Sequence, residues 1–225
     1  VTSIYERALG PDFRRLHPRI QGRFGFTSSD EVASIGTGVM EEIWRGKPFT
    51  IPFLYVGAWR RIMFPDKGRD VPFRIENFAY VDSFGRETVT WIRRFDLPTP
   101  RRFDAYMVYS DTRGRLIDYL GSHQHLAVDI DLSVDPNGGL RLRSGEQRFY
   151  EGVIGFRFPL LFSGVADVCE WYDDEEERFR IEVSVTNRQW GRLFGYRGWF
   201  IEDRRPCTEN DIPTDVRPKR VEIRD

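Results

Sequence analysis

The chain has 225 residues, 40% hydrophobic and 31% charged, and its 34 basic and 35 acidic side chains leave a formal net charge of -1. That length suits one domain with a full core, and the charge balance excludes a dedicated nucleic-acid binder, which needs a one-signed basic field. Cys169 and Cys207 are too few for a disulfide framework, so a reducing, cytoplasmic setting is the expectation.

Val1 to Gly10 lacks the apolar run of a signal peptide, and no initial Met is present, which fits a domain excised from something longer. The most apolar stretch, Ile51 to Phe64, carries Arg60 and Arg61 and is too short for a transmembrane segment. Lysine occurs only at Lys47, Lys67 and Lys219, so the basic residues are almost all Arg. Such enrichment could serve anion recognition, but codon bias is the favoured account.

In chain order, Ser3 and Glu6 read as a capping box opening a first helix that stops at Gly10. Pro11 starts a second helical turn with Phe13, Leu16 and Ile20 on one face, and Pro18 should end or kink it. Residues 27–36 are small and polar, hence a loop, and Gly38 to Trp44 is the expected first strand. Ile51 to Phe64 reads as a helix across one end of the sheet.

From Val71 onward the period is two. Val71, Phe73, Ile75, Ala79 and Val81 share a face, as do Val89, Trp91, Arg93 and Phe95, and then Phe103, Ala105, Met107 and Tyr109. Such alternation marks half-buried antiparallel strands. Leu126 to Ser144 forms the clearest hairpin, with Asp131 opposite Arg143. Gly152 to Gly164 reads as an irregular crossing, followed by strands Val165 to Tyr172, Phe179 to Thr186 and Leu193 to Ile201. The acidic run Asp173 to Glu177 is a solvated turn. The expected domain is residues 1–203, with 204–225 as a peripheral arm.

One phrase occurs twice. Gly114-Arg115-Leu116-x-x-Tyr119-x-Gly121 matches Gly191-Arg192-Leu193-x-x-Tyr196-x-Gly198. Each copy follows an Arg-Phe strand (Phe103, Phe179) and, before that, a Trp strand (Trp91, Trp171). The order describes a three-stranded meander used twice, through duplication or through shared hairpin chemistry.

Tyr5-x-x-x-Leu9-Gly10-x-x-Phe13-x-x-Leu16, Gly38 to Pro48, Trp91-x-Arg93-x-Phe95 and the second copy of the phrase together resemble an uncharacterised bacterial domain family, domain of unknown function 4166. The resemblance implies a domain found alone or attached to saccharopine-dehydrogenase-like, NAD(P)-binding proteins, with no assigned catalytic residues. No Gly-x-Gly-x-x-Gly fingerprint lies in this chain, so an NAD(P)-binding partner domain would sit elsewhere.

Arg93 is the residue that does not fit its face. Alternation points it inward with Trp91, and a buried guanidinium needs a carboxylate, carbonyls or an anionic ligand. Asp167, on the face expected to hold Cys169 and Trp171, is the candidate partner. The candidate ligand-binding set is therefore Arg93, Trp91, Asp167 and Trp171, with the repeat tyrosines Tyr119 and Tyr196. His123-x-His125, with Asp129 further along that face, has two metal-ligand types but reads as a solvated strand end. Cys169 reads as an inert buried thiol. No catalytic motif, metal site or cofactor site emerges.

These observations predict a mainly β protein: an antiparallel curled sheet or barrel of about nine or ten strands, lipocalin-like, with N-terminal helices. Three functions fit: binding of an apolar, amphipathic or anionic small molecule inside; an accessory domain of an NAD(P)-dependent oxidoreductase; or an interaction module with a solid core.

Overall fold

The computed structural model describes residues 1–151, 154–158 and 164–219. Among these residues, three α-helices, α1 (Ile4–Leu9), α2 (Pro18–Gly25) and α3 (Ile51–Trp59), accompany eleven strands. These are β1 (Val32–Arg45), β2 (Gly68–Val81), β3 (Glu87–Phe95), β4 (Arg101–Ser110), β5 (Arg115–Leu120) and β6 (Leu126–Val134). They continue with β7 (Leu140–Glu151), β8 (Ile154–Phe158), β9 (Val165–Asp173), β10 (Arg178–Asn187) and β11 (Gly191–Pro206).

The strands β1 to β7 and then β9 to β11 pair antiparallel in succession around a ring, β1 closes on β11, and, among the described residues, β8 adds to β7 alone. Ten strands make the closed barrel, because β7 bends: Leu140 to Arg143 pair with β9, while Gln147 to Glu151 pair with β8. Closure removes the exposed edges of an open sheet. Glycine permits it at the seam, since a β-carbon on Gly38 would stand 2.0 Å from the Trp199 carbonyl oxygen.

The expected alternation of β3 and β6 holds. Val89, Trp91 and Phe95 point inward, as do Val128 and Ile130, and all five join one apolar core. Asp131 does stand opposite Arg143 in the ladder, but its ion pair at 3.2 Å is with Arg115 of β5. Val81 is half exposed, unlike the rest of its expected face.

Several boundaries differ. β1 begins at Val32, inside the expected loop, because its small residues have specific neighbours. Ala33 and Ile35 pack outward against Phe78, Tyr80 and Ile92, and Ile212 and Val216 of the C-terminal segment close over the same patch. That covering also buries the outward Thr88 and Thr90, with Tyr80 hydroxyl and Thr90 Oγ1 2.8 Å apart. Pro18 opens α2 rather than ending a helix: it takes the first turn, and His17 Nδ1 accepts from the Arg19 N–H at 3.2 Å. Ser3 caps α1 as expected, accepting from the Glu6 N–H at 3.0 Å. The expected irregular crossing contains β8, and its remaining residues 152–153 and 159–163 lie outside the described residues.

The two meanders, β3–β4–β5 and β9–β10–β11, exist, and Gly114 just before β5 and Gly191 at the first position of β11 both take positive φ (63° and 75°). The copies are out of phase, however. Trp91 lies opposite Ala105, two residues after Phe103, whereas Trp171 lies opposite Arg180, one residue after Phe179. One position exchanges the faces, so the phrase shares turn chemistry but not the placement of its side chains.

The N-terminal helices stop one mouth of the barrel. Tyr5, Phe13, Leu16, Ile20 and Phe24 all enter the inner core. A buried guanidinium locks them there: Arg23 Nε donates to Glu170 Oε2 at 2.7 Å, Nη1 to Ser34 Oγ at 2.9 Å, and Nη2 to Asn77 Oδ1 at 3.1 Å. Its charge also meets Glu202 at 3.3 Å, and its carbon lies 4.7 Å from the Phe200 ring centroid. One side chain of α2 thus binds β9, β1, β2 and β11.

Removing one partner of such a pair strands the other charge. Arg23→Met is expected to lower stability by about 3–5 kcal/mol in urea denaturation, and Arg23→Met/Glu170→Leu to regain part of it. Equal loss in the single and double variants would show that packing, not the charge pair, fixes the helices.

Candidate functional site

Inside the barrel, β3 presents Trp91 and Arg93 in succession. The Arg93 side chain is 4% exposed and stacks on Phe103 of β4, with its guanidinium carbon 3.8 Å from the ring centroid. Nη1 donates to the Tyr196 hydroxyl at a long 3.5 Å, and Nε has no hydrogen-bond partner among the described residues. Tyr196 comes from β11 and is fully buried.

The buried acid that feels the charge of Arg93 is not Asp167 but Asp118. It lies on β5, inward between Met107 of β4 and Val128 of β6, and is 8% exposed. Its Oδ1 has no partner among the described residues. Burial pushes its carboxyl up to about 7, and the positive charge of Arg93 opposes that rise. Burial likewise raises Tyr196, with Arg93 again in opposition. Tyr5 closes the helix side: its hydroxyl accepts from Trp91 Nε1 at 2.8 Å, and burial is the main cause of its strongly raised pKa.

The site therefore holds Arg93 as a fixed cation, Tyr196 as a neutral hydroxyl, and Asp118 as a carboxyl protonated through much of the acidic range. Each is buried inside the barrel and can donate a hydrogen bond. Phe64, Phe95, Phe194 and Tyr196 fill the interior beyond these groups, with ring centroids 4.9–5.0 Å apart.

The other expected residues lie elsewhere. Ladder pairing with β10 turns Ala166, Val168, Glu170 and Tyr172 inward, so Asp167, Cys169 and Trp171 face out. The expected Arg93–Asp167 pair does not form; Asp167 meets Arg141 at 3.5 Å across an outer cleft. Cys169 lines that cleft, and burial with nearby carboxylates pushes its thiol up to about 12, far from a nucleophile. Tyr119 points outward and stacks on Tyr106 at 4.6 Å. Of the six expected residues, Trp91, Arg93 and Tyr196 share the interior.

His123 and His125 stand at the α3 rim with rings 5.6 Å apart, and Arg60 Nη1 approaches His125 Nδ1 at 3.4 Å. Asp129 leaves their face at a β-bulge, where Arg113 and Arg148 each approach it at 2.6 Å. No group of three metal-ligating side chains occurs among the described residues.

Comparison with known proteins places this barrel in a family. The domain of unknown function DUF4166 matches residues 16–200, and the chain belongs to that family. It is 33% identical over 208 residues to "Uncharacterized protein YndH" of Bacillus subtilis (strain 168), a match covering 91% of this chain and 99% of that protein. No solved structure matches the chain significantly.

Asp118 gives the site a pH signature. Its folded carboxyl keeps its proton where the unfolded one has lost it, so folding takes up a proton between about pH 4 and pH 7. Stability contributed by this group is present below that window and falls as pH rises through it. Asp118→Asn is expected to abolish the slope and to be more stable than the parent at pH 8 by about 2–4 kcal/mol. Denaturant midpoints at pH 5 and pH 8 measure this. A parent protein with equal stability at both would refute a buried, raised carboxyl.

Proposed function

We propose that the barrel binds a small amphipathic molecule carrying a carboxylate, held in the interior between Arg93, Asp118 and Tyr196. The observation that supports it most is that two buried atoms on inward faces of the barrel, Arg93 Nε and Asp118 Oδ1, have no hydrogen-bond partner among the described residues. Leaving such groups buried and unmatched costs on the order of 1–3 kcal/mol each, and an acidic ligand would recover that cost. Its carboxylate would accept from the guanidinium, from protonated Asp118 and from the Tyr196 hydroxyl. Phe103, Met107 and Val128 would cover its apolar part. The occupant must be compact, because rings fill the remaining interior.

A second reading rests on those same rings. The Phe64–Phe95–Phe194 cluster is the packing of a solid-core module, in which water alone would serve the polar groups. The family resemblance also implies an NAD(P)-binding partner. In Bacillus subtilis the matched protein is almost wholly this domain, with 99% of its length covered. An oxidoreductase partner there would be a separate chain.

Native mass spectrometry of protein purified from cells, and thermal shift with octanoate and benzoate, separate the readings. The ligand reading expects a co-purifying small mass, or a rise of several degrees in Tm with one acid. Tyr196→Phe, which removes only a hydroxyl, and Arg93→Met should both weaken the shift, the latter by about tenfold or more in apparent affinity. A bare chain mass with no shift from either acid would leave the solid-core reading standing.

A further inference from the structure

The α3 end of the barrel carries a surface that the interior site does not use. Helix α3, Ile51-Pro52-Phe53-Leu54-Tyr55-Val56-Gly57-Ala58-Trp59, contains no charged residue. Only Leu54 is buried. Phe53, Trp59, Val56 and Tyr55 are 72%, 69%, 59% and 58% exposed, and Phe49 before the helix is 48% exposed. Large apolar side chains grouped on one exposed helix are unusual for a surface facing only water.

A basic cleft adjoins this helix. Arg45 and Lys47 from the end of β1, with Arg188 and Arg192 from the β10–β11 turn, line it beside Trp190, and no acidic residue does. None of the four makes an ion pair among the described residues. Elsewhere most arginines are paired with carboxylates, as in Arg101–Asp66, Arg102–Asp104 and Arg148–Asp129. Phe49 joins the two features, its ring edge-on to Trp190 at 5.7 Å. On the opposite flank Arg60 lies over the Trp59 ring at 4.5 Å.

We propose that this end docks on an anionic lipid bilayer, with Phe53, Val56 and Trp59 entering the headgroup region and Arg45, Lys47, Arg188 and Arg192 contacting lipid phosphates. Exposed aromatics favour the bilayer interface, and cations beside them gain from a negative surface. The helix is too short to cross, and no described helix is long and apolar enough to do so. A second copy is the poorer occupant. A twofold contact through α3 would bring two unpaired basic clefts to one interface.

Cosedimentation of the full chain with vesicles tests this. The protein is expected to sediment with vesicles of phosphatidylcholine and phosphatidylglycerol, less with phosphatidylcholine alone, and less at high salt. Phe53→Ser/Trp59→Ser and Arg188→Glu/Arg192→Glu change only exposed side chains, and circular dichroism would verify that both fold. Each should reduce binding about tenfold or more. Arg93→Met should leave it unchanged, which separates this surface from the interior site. Three results would overturn the proposal: a parent protein left in the supernatant with both vesicles, variants that bind as well as the parent, or a solution dimer that Phe53→Ser dissociates.

Discussion

Strand β1 pairs with β11 from Val32 opposite Pro206 to Arg45 opposite Phe194. This seam turns a meander into a ring. In a ring every strand has two neighbours, so its inward parity follows from the ladder on both sides. An isolated strand with apolar residues on both faces can choose; a strand inside the ring cannot. β9 is such a strand. Its two faces, Val165-Cys169-Trp171 and Ala166-Val168-Tyr172, are comparably apolar, and pairing with Phe179, Ile181, Val183 and Val185 of β10 decides between them.

That decision brings Glu170 inward, and the N-terminal helices answer it with Arg23. A lone buried carboxylate would be prohibitive in this core, so the helical plug and the barrel wall depend on each other. The same parity leaves Arg93 without Asp167, and the β4–β5–β6 ladder turns Asp118 inward, where the charge of Arg93 acts on it. The interior thus contains a cluster around Arg23, whose guanidinium is held by Glu170, Ser34 and Asn77 although Glu170 Oε1 has no partner among the described residues, and a second cluster around Arg93 with fewer hydrogen bonds. The first is architecture. The second supports the ligand proposal, because the ring that seals it supplies too few partners.

The two ends of the barrel have different chemistry. The helical mouth is closed by Tyr5, Phe13, Leu16, Ile20 and Phe24. The α3 mouth keeps its aromatics outside, beside cations that make no ion pair among the described residues. An apolar helix does not require burial of its full circumference when one anchor, Leu54, suffices to seat it.

Much of this was legible in the chain itself. Strict alternation in β3 and β6 identified Trp91 and Arg93 as inward, because one face of each strand is clearly more apolar. Ser3, Gly10, Gly114 and Gly191 marked caps and turns through chemistry local to a few residues. The resemblance to the DUF4166 family rested on such local signatures and is now shown. Long-range pairing was not legible. No local pattern says that Arg23 will meet Glu170, 147 positions away, or that Asp118 rather than Asp167 will face Arg93. The sequence by itself determined an antiparallel β chain, its turns and one misplaced guanidinium, since these follow from residue period and backbone preference. Tertiary structure alone decided the partners of that guanidinium, because a one-residue step in register exchanges inside for outside.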